Sequence, residues 1–150
     1  MKIQIQLFVL DDDKETHDII REALSGIDPN SYRMFDDYEE FIKSVDKFVH
    51  IAIIDHRLGG GKTGLEVMKE LLAINPNCYV IIISGFLDAQ LIMKYQEEGS
   101  RVFIDKNDYR NFAGKLETYV TKAYSLFNNM VEFIENQIEE LRQLSPLCNK

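Results

Sequence analysis

The chain has 150 residues, 45% hydrophobic and 28% charged, which fits one globular domain with a core large enough to fold without staples. Its formal net charge is -8, from 25 acids against 17 bases with no basic cluster, which argues against nucleic acid or an anionic membrane as a partner. Cys78 and Cys148 are too few for a disulfide framework, no apolar run approaches the roughly 20 residues that span a bilayer, and "MKIQIQLFVLDDD" does not read as a signal peptide, so a soluble cytoplasmic protein is expected.

In chain order, residues 3–10 alternate and then turn fully apolar, as a strand does on entering a core. Residues 14–26 place Ile19, Ile20, Ala23 and Leu24 on one helical face and stop at Gly26. A short strand (31–35) and a short helix (37–45, with Phe41, Ile42 and Val45 inward) follow. Residues 49–55 read as a buried strand, 64–75 as a helix with Leu65, Val67, Met68, Leu71 and Leu72 apolar, and 78–84 as another buried strand. A helix over 88–99, a strand over 101–105 and a helical pattern from Tyr109 to about Leu144 complete the chain. Five strands alternating with five helices predict an α/β fold: a doubly wound, five-stranded parallel sheet with helices on both faces.

Open sheets of this kind bind ligands beyond the carboxyl ends of their strands. The predicted strand ends carry Asp11, Asp12 and Asp13, then Asp55, then Ser84, then Asp105 and Lys106. Close carboxylates repel unless they share a cation or a proton. An oxygen-only cluster suits a hard divalent ion such as Mg²⁺. A metal, a lysine and a hydroxyl around one aspartate are what phosphoryl transfer to that aspartate requires.

These residues carry a resemblance. With "FVLDDD" at the first strand end, "IAIIDHRL" and "GLEVMKEL" around the third, "IIISG" at the fourth and "EGSRVFIDK" at the fifth, the sequence from about residue 3 to about residue 124 resembles the receiver domain of two-component response regulators. The resemblance implies a flavodoxin-like fold and a phosphorelay in which Asp55 accepts a phosphoryl group. The donor would be a phosphohistidine on a sensor histidine kinase or histidine phosphotransfer protein. It implies Mg²⁺ held at Asp11, Asp12, Asp55 and the Arg57 carbonyl, with Asp12 a direct ligand of the acidic pair. Ser84 and Lys106 would contact the phosphoryl group, and Phe103 would be the aromatic switch residue coupled to Ser84. Such a chain promotes its own phosphorylation and dephosphorylation rather than turning over a substrate. Two departures stand out: Gly59, Gly60 and Gly61 occupy the loop where the family often has a proline, and Asn107 follows Lys106 where a cis proline is usual. A cis bond before a non-proline costs ~2.5–4 kcal/mol, so a trans bond is expected there.

The same residues admit competing readings. "GGGKTG" ends like a phosphate loop, but the first glycine of that motif would fall at His56, so a flexible connection is the simpler reading. A haloacid dehalogenase-like phosphatase with Asp11 as nucleophile would want threonine where Glu15 stands and leaves Asp55 without a role. Asp11, Asp12 and Asp13 alone would suit a helix N-terminus. A receiver-like interaction module that is never phosphorylated remains a further alternative, weakened by the intact Asp11, Asp12, Asp55, Ser84 and Lys106 set. His17 and His50 are expected at the surface, and His56 at the rim of the site, available to a partner.

Beyond the receiver-like part (1–124) lies a helical extension (125–150). Val120, Phe127, Ile134 and Leu141 recur every seven residues, with Tyr124, Val131 and Ile138 between them, a heptad seam of about three heptads. Met130 and Phe133 widen the stripe, which leaves open packing back onto the domain or into a bundle. The expectation is a coiled-coil homodimer held mainly by residues after about 120.

Overall fold

The computed structural model describes residues 4–86 and 88–144. Its strands are β1 (Leu7–Leu10), β2 (Tyr32–Phe35), β3 (Ile51–Asp55), β4 (Tyr79–Ser84) and β5 (Val102–Asp105). They alternate with helices α1 (Lys14–Ala23), α2 (Tyr38–Ser44), α3 (Gly64–Ile74), α4 (Ala89–Glu97) and α5 (Phe112–Leu144). All pairings are parallel, in the order β2-β1-β3-β4-β5. The predicted doubly wound sheet is therefore present. Its elements are a few residues shorter than their sequence patterns, because apolar flanks such as Ile5 and Val49 are buried without strand pairing. Ile3, placed at the start of the first strand, and Cys148 lie outside the described residues.

The period of two along each strand divides the core. Leu7, Val9, Ile51, Ile53, Ile81 and Ile83 face one side, where Ile20, Leu24, Phe112, Leu116 and Val120 from α1 and α5 cover them. Phe8, Leu10, Ala52, Ile54, Val80 and Ile82 face the other, under Phe41, Val67, Met68, Leu71 and Tyr95 from α2, α3 and α4. Ile19, expected inward, is exposed instead: Ile20 and Ala23 fill the α1 contact, and Ile19 sits at the edge of the helix face.

The chain reverses direction in strand order between β1 and β3, so the carboxyl ends of these two strands open a crevice. Helix caps shape its rim. Asp13 accepts the amide of Glu15 (3.0 Å) and the hydroxyl of Thr16 (3.1 Å), starting α1. Thr63 caps α3 after a turn over Gly59–Gly61, in which Gly60 and Gly61 take positive φ of 75° and 80° that other residues rarely adopt.

Two histidines expected at the surface are not there. His17 is buried, and its Nε2 donates to the Asp11 carbonyl. His50 is half-buried; its Nδ1 accepts the Gln6 amide (3.0 Å) and its ring meets Phe127 edge-on at 5.2 Å. Helical and strand periodicity assigned neither to a face, because neighbouring segments rather than their own element bury them.

The heptad seam is also corrected at its root. Val120 is fully buried in the core, Tyr124 bonds Ser31 (3.1 Å), and Phe127 packs on His50. The first half of the stripe is thus occupied by the domain itself. The uncovered part begins near Val131, where Ile134, Ile138, Leu141 and Leu144 stand exposed.

Candidate functional site

The crevice gathers the strand-end residues. Asp11 follows β1, Asp55 closes β3, and one carboxylate oxygen each from Asp11, Asp12 and Asp55 lie within 4.8 Å of one another. Asp11 is fully buried: one oxygen accepts the Asp13 amide (2.8 Å), the other the Lys106 ammonium (2.8 Å). Lys106 also reaches Asp55 at 3.4 Å. Asp12 is exposed and turns its carboxylate toward Gly59, where a Cβ would lie 3.4 Å from its oxygen. Asp13 is a cap, so the helix N-terminus reading holds for it alone among the three aspartates.

The electrostatics follow from burial and crowding. Burial, then the charge of Asp11, push the Asp55 carboxyl up to about 6, against the pull of Lys106. Burial likewise raises Asp11 above the usual carboxylate range, despite its bonds to Lys106 and the Asp13 amide. Burial disfavours the Lys106 charge, but its bond to Asp11 and the charges of Asp11 and Asp55 outweigh this and raise it. Three carboxylates against one ammonium leave a net negative pocket, and an oxygen-only set of this size fits a hard divalent cation.

Ser84 ends β4 beside β3, one residue past the partner of Asp55, and is buried. Its hydroxyl is turned into its own loop, accepting the Phe86 amide (2.9 Å) and donating to the Phe86 carbonyl (3.1 Å). Phe103 lies half-buried on the α4 side of the sheet against Tyr95, ring centroids 5.9 Å apart. Arg57 is exposed at the mouth, its guanidinium over the Phe86 ring. The Lys106–Asn107 bond is trans, like every described peptide bond. The Asn107 side-chain amide donates to the Gly85 carbonyl (2.5 Å) and lies within contact distance of Gly85, 3.4 Å from where its Cβ would stand, tying the β5 loop to the β4 loop.

His56 is the residue that departs most from expectation. Alternation does send it away from Asp55, as anticipated, but toward α4 rather than to a rim. There its Nδ1 stands 2.6 Å from the Tyr95 hydroxyl. Burial, then the charge of Arg57, hold its ring below its usual range. The signal was available: His56 shares the parity of Ala52 and Ile54, which face the α3–α4 layer.

A family model described as the response regulator receiver domain matches residues 7–115. The chain belongs to the response regulator receiver family. Solved receiver structures share the fold. A response regulator, DrrB, of Thermotoga maritima, an OmpR/PhoB homologue, superposes with TM-score 0.69 at 21% identity, over 81% of this chain and 53% of that one. The receiver domain of NtrX from Brucella abortus gives TM-score 0.68 at 22% identity, over 79% and 97%. A Burkholderia pseudomallei response regulator, solved with a phosphorylated aspartic acid, calcium ion and citrate, gives TM-score 0.59 at 15% identity, over 92% and 86%. By sequence, a cyclic di-GMP phosphodiesterase of Thermotoga maritima is 32% identical over 98 residues, 61% of this chain. This receiver chain spans a quarter of that relative's length (25%), so the activity in its name is not carried over. Receiver domains are in general phosphoacceptors rather than turnover enzymes, and they interact with histidine kinases or phosphotransfer proteins. Among the described residues, no helix of this receiver domain is long and apolar enough to cross a membrane.

Proposed function

We propose that the chain is the phosphoacceptor of a two-component phosphorelay, with Asp55 receiving the phosphoryl group from a phosphohistidine. The observation that carries this reading is the position of the Asp55 carboxylate, shared between Asp11, Asp12 and the Lys106 ammonium. An Asp55 oxygen attacks phosphorus as the phosphorus–imidazole bond breaks, giving an aspartyl phosphate and a histidine that takes up a proton. Lys106 neutralises one phosphoryl oxygen. The Ser84 hydroxyl exchanges its bonds with Phe86 for one to the phosphoryl group, and the space it leaves draws Phe103 inward. Asp11, Asp12, Asp55 and the Arg57 carbonyl would hold Mg²⁺. When bound, the ion offsets charge on the transferring oxygens.

Asp55 is the better nucleophile than Asp11, whose two oxygens are both engaged by hydrogen bonds. Asp11 therefore suits positioning of Lys106 and the ion rather than the phosphatase role. We further place a homodimer contact on the uncovered end of α5, residues 131–144. The β-branched Val131 and Ile138 are in its seam, with Ile134 and Leu141 beside them.

The test is incubation with Mg²⁺ and acetyl phosphate, followed by mapping of the modified residue by mass spectrometry. Label on Asp55, absent from Asp55→Asn, is expected. Full labelling of Asp55→Asn at another residue overturns the assignment.

A further inference from the structure

Among the residues of α4, Tyr95 is the one buried side chain, and it is buried completely. Its ring stands between His56 and Phe103, at centroid distances of 5.5 Å and 5.9 Å. Its hydroxyl is 2.6 Å from His56 Nδ1 and lies 3.0 Å from the point where a Cβ on Gly64 would sit. Gly64 in turn donates its amide to the His56 carbonyl at 2.7 Å, and the Asp55 carbonyl crowds its Cα so closely that no side chain fits there. The Asp55 and His56 backbone, Gly64 and the Tyr95 hydroxyl thus form one packed knot directly behind the acceptor carboxylate.

We propose that Tyr95 is a positioning residue for the acceptor turn. Through His56 it fixes the path of the chain from Asp55 to the Arg57 carbonyl, and it thereby links the seating of α4 to occupancy of the Asp55 site. The inference rests on the reading of Asp55 as a Mg²⁺-assisted phosphoacceptor. A helix with one fully buried side chain, and Leu91 only partly buried against the core, belongs to the low-stability end of a fold, where a small free energy moves it. The hydroxyl of that side chain is its polar hold on the body, and a buried donor does not give up its partner without cost. Any shift of the acceptor turn that accompanies ion or phosphoryl binding must therefore carry Tyr95 along or break its bond. Coupling of this kind is reciprocal: whatever seats α4 differently also changes affinity at the site. The path runs along β3 and α4 and starts behind Asp55 rather than at the Ser84 hydroxyl, which the structure engages with Phe86; the two routes meet where Phe103 packs on the Tyr95 ring.

Tyr95→Phe keeps the ring and removes the hydroxyl. Relative to the wild-type chain, it is expected to weaken Mg²⁺ binding, measured by calorimetry, about fivefold, the size of one ordinary hydrogen bond. In the wild-type chain, Mg²⁺ with beryllofluoride is expected to change hydrogen exchange along Ala89–Glu97. In Tyr95→Phe that response should disappear, while β1 and β3 exchange as before. His56→Ala should reproduce both effects, and the double variant should be no worse than either single one. Wild-type Mg²⁺ affinity together with an unchanged α4 response in Tyr95→Phe overturns the proposal. Labelling of wild-type Asp55 is independent of that result. An unlabelled Asp55 with Tyr95-dependent Mg²⁺ binding would remove the phosphoacceptor reading and keep the linkage.

Discussion

The guanidinium of Arg57 stacks on the ring of Phe86, 5.3 Å from its centroid. The two residues stand two positions past Asp55 and Ser84, so their contact spans the loops on either side of the acceptor. An exposed cation–π pair is worth about 0.5–1 kcal/mol, enough to slow a water molecule's approach a few-fold and to deny it a polar side chain that would orient it. Slow loss of the phosphoryl group from Asp55 is therefore expected, and small polar replacements such as Phe86→Asn or Arg57→Ser should accelerate it at least about threefold. The decay of labelled Asp55 measures this; release within seconds from the unsubstituted chain would contradict it.

The acceptor carboxylate is a burden on the metal-free fold. Its folded pKa, about 6, lies above the unfolded value of 3.8, so the folded state holds its proton more tightly. The cost of its charge is present in full above about 6, shrinks as pH falls from there toward 3.8 and is gone below 3.8. Asp55→Asn should consequently be more stable than wild type at neutral pH without metal, by on the order of 1–3 kcal/mol. Added Mg²⁺ should raise the melting temperature of the wild-type chain far more than that of the variant. Thermal unfolding of both, with and without Mg²⁺, decides the matter; a less stable Asp55→Asn would show that the carboxylate is structural.

His50 makes the docking of α5 sensitive to acid. Burial holds its pKa below the ordinary 6.5, and Nδ1 accepts a hydrogen bond only while unprotonated. For a base with a lowered folded pKa, the contribution to stability is complete above about 6.5 and declines as pH falls through the folded value. Protection against hydrogen exchange over 124–131, taken relative to the intrinsic rate at each pH, should therefore fall below about pH 6, and His50→Phe should remove that pH dependence. Equal protection across this range in the wild-type chain would dissociate His50 from α5.

The proposed dimer contact is testable by shortening the chain. Light scattering should give a dimer for the whole chain and a monomer for a version ending at Met130, which retains Tyr124 and Phe127 on the domain. A cut near Ala123 would confound the result by removing those two contacts as well. A monomeric whole chain at tens of micromolar would assign the exposed stripe to another partner.

Strand ends were the legible part of this sequence. A buried parallel strand declares itself by an unbroken apolar run, and the first polar residues after it mark the crevice, so Asp11, Asp55, Ser84 and, one place past Asp105, Lys106 stand out in the sequence alone. What sequence patterns did not convey was occupancy by other elements. The seven-residue recurrence of Val120, Phe127, Ile134 and Leu141 looks uniform along the chain. Yet Val120 meets the sheet, Phe127 meets His50 and Leu141 stands exposed. Periodicity records that a face is apolar, and tertiary geometry decides what covers it. Asp13 and Asp12 were likewise indistinguishable as letters; only the cap bond to Glu15 separates the structural carboxylate from the one left open.

The continuity of α5 gives the molecule a lever. The helix is packed on the domain from Phe112 to Phe127 and largely exposed from there to Leu144, an arm of about 25 Å at ~1.5 Å per residue. A tilt of about 10° at the His50–Phe127 fulcrum would displace the tip by on the order of 4 Å, most of one helical turn's rise. Rearrangements too small to notice beside β5 would thus arrive at the far end magnified, at the scale on which packed helices exchange one set of neighbours for the next.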